Sequence, residues 1–142
     1  MIEIIMVIVV VSFLGVLFFP QFLDFRSEAK DAVTRARLKE LREAISGNSQ
    51  AIGSGRYSNP GFEQDIGSVP TSLTDLTVIG AYSTYDPFTK TGWRGPYIDS
   101  SVDGWDEDAW GMAIDYDSGA RTLTSCGPDL SCGNGDDIQV SF

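Results

Sequence analysis

The sequence predicts an α+β chain in which one long N-terminal helix packs on a small antiparallel β-sheet head. Three observations predict it. The first 23 residues carry a single charged side chain, Glu3, in an otherwise almost wholly apolar run. Residues 24–46 then place charges and apolar groups at helical spacing. Beyond residue 46 the chain turns to glycine, serine, threonine and aromatic residues in short runs broken by turn signals. The layout is thus 1–23 for the apolar half of the helix, 24–46 for its amphipathic half and 47–142 for the head.

From Ile4 to Phe19 nothing is charged, and apolar character resumes at Phe22, Leu23 and Phe25 after Pro20-Gln21. A helix rising ~1.5 Å per residue needs about 20 such residues to cross a bilayer, so this run is long enough to span one. A secretory signal peptide would begin with basic charge and end at a small-residue cleavage site; neither is present. Glu3 is cheap at headgroup level, whereas deeper placement costs several kcal/mol and calls for a partner.

Residues 24–46, DFRSEAKDAVTRARLKELREAIS, set apolar or small side chains at Phe25, Ala29, Ala32, Val33, Ala36, Leu41 and Ile45. Their six basic and five acidic residues balance, with Asp31–Arg35 and Lys39–Glu43 placed for i,i+4 pairing. Gly47-Asn48 supplies a stop. The two halves make one spine of about 46 residues and ~70 Å. Gly15 and Pro20 lie within it, and proline, which removes a helical hydrogen bond, predicts a kink or local melting there.

In the head, turn signals stand at Ser58-Asn59-Pro60-Gly61, Asp86-Pro87, Asp117-Ser118-Gly119 and Gly133-Asn134-Gly135. Thr71–Leu76 reads as a short helical turn opened by a Thr or Ser cap. Strands are expected at Gly95–Ile98, Met112–Tyr116, Arg121–Ser125 and Ile138–Val140, the second and third joined as a hairpin. So small a domain has no room for two cores, so the sheet should bury one face on the amphipathic helix.

Charge is divided unevenly. Basic and acidic residues cancel through Glu43, and the four basic and 14 acidic residues beyond it carry the whole net charge of −10. An acidic head works against nucleic-acid binding and invites a hard divalent cation. The segment from Ser125 to Ile138 holds three carboxylates, Asp129, Asp136 and Asp137, in a glycine-rich loop. Calcium takes six to eight oxygens from such mixtures of carboxylate and carbonyl. The pattern lacks EF-hand spacing and, by itself, fits a solvated loop as well as a metal site. Asp103, Asp106, Glu107 and Asp108 read as a solvated acidic run, and Trp93 and Trp110 as core anchors. With no histidine, no G-x-S-x-G and no phosphate loop, the sequence offers no catalytic constellation, and no enzyme is expected.

Glu3, the β-branched run to Val11, Gly15 and Pro20-Gln21-Phe22, with seventeen residues from acid to proline, resemble the mature N-terminus of the type IV pilin and type II secretion pseudopilin superfamily. Gly92-Trp93-Arg94-Gly95-Pro96-Tyr97 and Asp108-Ala109-Trp110-Gly111 are similar to the W-x-G-P-Y and D-P-W-G patterns of pseudopilin heads, with Ala109 replacing the usual proline. The segment around Gly127-Pro128-Asp129 and Asp136-Asp137-Ile138 resembles the calcium loop of major pseudopilins. The resemblance implies the type IV pilin fold and an N-methylated terminus two residues ahead of Met1. It also implies assembly roles for Glu3, Gly15 and Pro20, with Glu3 meeting the N-terminal amine of a neighbouring subunit and the Gly15–Pro20 stretch extending on assembly. For calcium it implies carboxylates of Asp129, Asp136 and Asp137 with carbonyls of Cys126, Ser131 and Asn134. Cys126 and Cys132, which most relatives lack, are the chain's two cysteines; in an extracytoplasmic domain they favour a disulfide worth roughly 2–3 kcal/mol.

The implied function is a structural subunit that polymerises into a helical homo-oligomeric filament, foremost the pseudopilus of a type II secretion system. It would reside in the inner membrane before assembly and in a periplasmic or extracellular filament after it, with assembly machinery and minor pilins as partners. The alternatives are a major pilin of a surface type IV pilus, serving adhesion, motility or DNA uptake, and a membrane-anchored calcium-binding domain without a filament.

Overall fold

A computed structural model of the chain describes residues 2–48, 52–53, 56–57 and 60–142, with backbone alone at 15–25, 52–53 and 56–57. Helix α1 runs from Ile2 to Ser46, 45 residues, or ~68 Å at helical rise. It ends where Gly47, at φ 80°, donates its amide to Glu43 O, a left-handed stop that costs glycine least. The backbone stays helical through Gly15 and Pro20, so of the kink or local melting expected there, local melting does not occur in the single chain. One missing amide at Pro20 removes a single bond from a ladder continued on both sides. Among the described residues no helix is long and apolar enough to cross a membrane. The second part of the expected span, 15–23, lies outside the described side chains.

The chain is α+β: α1 packs on a three-stranded antiparallel sheet in the order β3 (Asp115–Asp117), β4 (Thr122–Ser125), β5 (Ile138–Ser141). A separate two-residue pair, β1 (Ile52–Gly53) with β2 (Arg56–Tyr57), precedes the short helix α2 (Gly61–Ile66) and a 3-10 turn at Leu73–Leu76. The expected turn at Pro60-Gly61 is instead the start of α2, and the expected Ser58-Asn59 lies outside the described residues. The expected β3–β4 hairpin forms, but its first strand is Asp115–Asp117 and not Met112–Tyr116; Asp117 faces Thr122, and its Oδ1 accepts the amides of Gly119 and Ala120. Gly95–Ile98 is not a strand. Pro96 has no amide to give a ladder, Arg94 N donates to Tyr97 Oη, and Tyr97 N reaches Leu76 O in the 3-10 turn.

The core gathers Leu38, Leu41, Ala44 and Ile45 of α1 with Phe62, Leu73, Leu76, Ile98, Ile114, Leu123 and Ile138. Trp93 and Trp110 pack against it, and Trp93 Nε1 donates to Asp75 O at 3.0 Å. The buried stripe of α1 differs from the expected one. Leu41 and Ile45 are buried, whereas Ala29, Ala32, Val33 and Ala36 face outward, and Thr34 and Leu38 take the inward positions. Thr34 fits because its Oγ1 accepts the amide of Ala109 at 3.1 Å, so the buried hydroxyl is satisfied. One turn on, Arg37 donates to the carbonyls of Gly104 and Glu107 at 2.6 and 2.7 Å. These contacts tie the 104–109 strap to the spine.

Candidate functional site

The segment joining β4 to β5, residues 126–137, is closed at its base by the strand register Ser125↔Ile138 and by the Cys126–Cys132 disulfide, Cα–Cα 4.3 Å. Three residues take left-handed backbone, Gly127, Leu130 and Gly133. Leu130 is the informative one, since a side chain there is held against its own preference. At Gly127 a Cβ would lie 2.6 Å from Asp136 O and 3.1 Å from its Oδ2. Glycine therefore lets the two ends of the loop close on each other.

Within this frame Asp129 Oδ1 accepts Ser131 N at 2.8 Å and Oδ2 accepts Asn134 Nδ2 at 2.7 Å. Asp137 Oδ2 accepts the amides of Gly133 at 2.7 Å and Asn134 at 3.2 Å, and Asn134 Oδ1 accepts Asp136 N. Asp137 Oδ1 is buried and, among the described residues, finds no hydrogen-bond donor. An orphaned buried carboxylate oxygen is costly, and a cation is one of few groups that offset such a cost. The structure thus brings Asp129, Ser131, Asn134, Asp136 and Asp137 into one loop with the Cys126–Cys132 bridge. Amides engage both oxygens of Asp129 and one of Asp137, and among the described residues no group of three or more His, Cys, Asp or Glu side chains is gathered to hold a metal ion.

The loop rests on a buried polar support. Ser125, fully buried, donates Oγ to Asp108 Oδ2 at 2.6 Å and accepts Gly127 N at 3.3 Å. Asp108 Oδ1 accepts the amides of Trp110 and Met112, both at 2.9 Å. Asp108 is 4% exposed, so it is not part of a solvated acidic run as expected. Its three neighbouring carboxylates, Asp103, Asp106 and Glu107, gave no hint, because the burial comes with partners outside the run, Ser125 Oγ and the amides of Trp110 and Met112. Arg37 and Thr34 were also missed, for on a helix they read as one more cation and one more small polar residue.

A second buried carboxylate, Asp65 at 3% exposure, receives Arg94 on both oxygens at 3.1 and 3.0 Å, with Tyr97 Oη also on Oδ2 at 3.0 Å. Burial, followed by the Asp65 carboxylate, pushes the Tyr97 hydroxyl up to about 12. Arg121 forks onto Glu63 at 2.8 and 2.7 Å and lowers that carboxyl below its ordinary range. Each of these groups is spent inside the head. Glu3 sits in the exposed first turn of α1, and Gly15 and Pro20 lie where backbone alone is described. No family model, curated protein or solved structure matches this chain.

Proposed function

We propose that this chain is a structural subunit that polymerises through its N-terminal helix into a type IV pilus-like filament, foremost a type II secretion pseudopilus. One observation carries the reading: α1 has two halves with opposite fates. One face of its C-terminal part, Thr34, Leu38, Leu41, Ala44 and Ile45, is buried in its own head. Its N-terminal end shows water a series of large apolar side chains interrupted by Glu3 and Ser12, from Ile2 at 75% exposed to Leu14 at 48%. An exposed apolar surface of that extent needs lipid or other chains to cover it. Glu3 supports chains over lipid alone, since a simple anchor gains nothing from an acid, whereas a bundle of spines gains register when the acid meets a neighbour's amine.

The C-terminal loop is read as a calcium loop of the pseudopilin kind. Asp129, Asp136 and Asp137, with carbonyls of Cys126, Ser131 and Asn134, would hold the ion, and the unpartnered Asp137 Oδ1 supports that fit. Bound calcium neutralises clustered carboxylates and draws loop oxygens to one point. The Cys126–Cys132 bridge shortens the distance the loop must travel to do so.

Electron microscopy with antibody against the head, on cells producing the chain at native level, tests the reading. Membrane-associated label with short fibres and loss of those fibres in Glu3→Ala are expected. Long labelled surface filaments would move the assignment to a type IV pilus, and an evenly spread, non-sedimenting label indifferent to Glu3→Ala would defeat both.

A further inference from the structure

We infer that two unlike patches of the head meet between successive copies of this chain, the hairpin tip Phe88–Lys90 of one copy resting on the loop Asp99–Gly104 of the next. The occupant, a second copy, rests on the filament reading; the patches themselves are read from the fold. Phe88 is 95% exposed, the most exposed large apolar side chain among the described residues. It is not on a loose end. Asp86 accepts the amide of Phe88 and the hydroxyl of Thr89, and its backbone bonds both Lys90 N and Thr91 O. Farther down the hairpin Trp93 N donates to Ser83 O and Gly92 N to Asp65 O. A phenyl ring displayed by so ordered a support contributes nothing inside its own head, and a rigid exposed aromatic suits the centre of a contact.

Charge selects the receiving surface. Of the head's basic side chains that are described, Arg94 and Arg121 are committed to Asp65 and Glu63, while Lys90 beside Phe88 makes no ion pair with any described residue. Loop 99–104 is its complement: Val102, 56% exposed, stands between the exposed carboxylates of Asp99 and Asp103. An apolar group beside a cation faces an apolar group between anions, which sets the register of a contact.

Position along the spine makes the contact run between copies. Loop 99–104 is held at the level of Arg37, which grips Gly104 O. The hairpin is held by α2, whose first residue, Gly61, lies so close to Ile45 O and Gly47 N that a Cβ there would meet both. From Arg37 to Ile45 is roughly 12 Å of helix. Copies with parallel spines, displaced along the axis, therefore bring the lower patch of one toward the upper patch of the next. Because the patches differ the contact is head-to-tail, and because the copies are displaced along the axis it does not close into a ring but propagates as an open helix.

The test uses the full-length chain in cells carrying its assembly machinery, with the photo-crosslinker p-benzoyl-phenylalanine replacing Phe88. Illumination should give chain-to-chain products whose linked peptide falls within residues 99–104. Lys90→Glu should reduce those products about tenfold, a loss of ~1.4 kcal/mol of coupling, and adding Asp103→Lys should restore them. Assembled chains whose crosslinks map elsewhere, to another protein, or unchanged in Lys90→Glu overturn this contact and leave the filament standing. Chains that never assemble overturn both.

Discussion

Asp65 decides more than its size suggests, because it is a carboxylate almost removed from water that accepts the fork of Arg94 and the hydroxyl of Tyr97. Asp65→Ala leaves a guanidinium and a phenol without their acceptor. A loss of about 1–3 kcal/mol in denaturant unfolding is expected, discounted from the fully buried case because Arg94 is 43% exposed. Tyr97 and Tyr116 are both pushed up to about 12, chiefly by burial. A phenol whose folded value exceeds its unfolded value of 10 stabilises fully below 10 and loses that contribution as pH rises toward 12. Tyrosinate absorbance should therefore appear in the unfolded chain before these two groups ionise in the folded one, and stability should fall across that window. Glu63 runs the other way. Its folded value is lowered by Arg121, so its contribution is present above the ordinary carboxylate range and is lost as pH falls through the lowered value. Glu63→Gln should flatten that acid limb; an unchanged limb would assign it to other carboxylates.

The elements show how a helix that is half exposed is made to carry a head. Thr34, Leu38, Leu41 and Ile45 repeat at spacings of three and four, which places them on one face, and that face meets α2, β4 and β5. Leu41→Ala should cost about 2–5 kcal/mol, since nothing nearby is free to fill the space. Arg37 acts differently, by holding the carbonyls of Gly104 and Glu107. Arg37→Ala should cost only about 1–2 kcal/mol globally. Its larger effect should be local, seen as faster amide exchange in the 104–109 strap with β4 unchanged; uniform acceleration over the head would assign Arg37 a general packing role instead.

At the scale of the whole molecule, a net charge of −10 concentrated in the head makes neighbouring heads repel, and repulsion must be offset if they are to stack. Calcium in the 126–137 loop and the Lys90 contact would each lower that barrier. If the loop holds calcium, the ion raises the melting temperature of the oxidised chain, Asp137→Ala abolishes the rise, and EDTA reverses it. A melting temperature indifferent to both calcium and EDTA would remove the ion from the account and leave the disulfide as the loop's main constraint.

The sequence by itself determined the long helix, its Gly47 stop, the three C-terminal strands and the uneven charge, because each rests on local periodicity or on turn chemistry within a few residues. It also favoured a bridge between its two cysteines, Cys126 and Cys132, which the structure forms. Only the tertiary structure decided which face of α1 is inward, since alanines at 29, 32 and 36 satisfy helical spacing as well as Thr34 and Leu38 do. It alone buried Asp108 and Asp65 and left Asp103 exposed, though the residue type is the same, because partners such as Ser125 and Arg94 lie 17 and 29 residues away. Burial of a carboxylate is a property of what folds over it, and that depends on long-range contacts that no short stretch of sequence encodes.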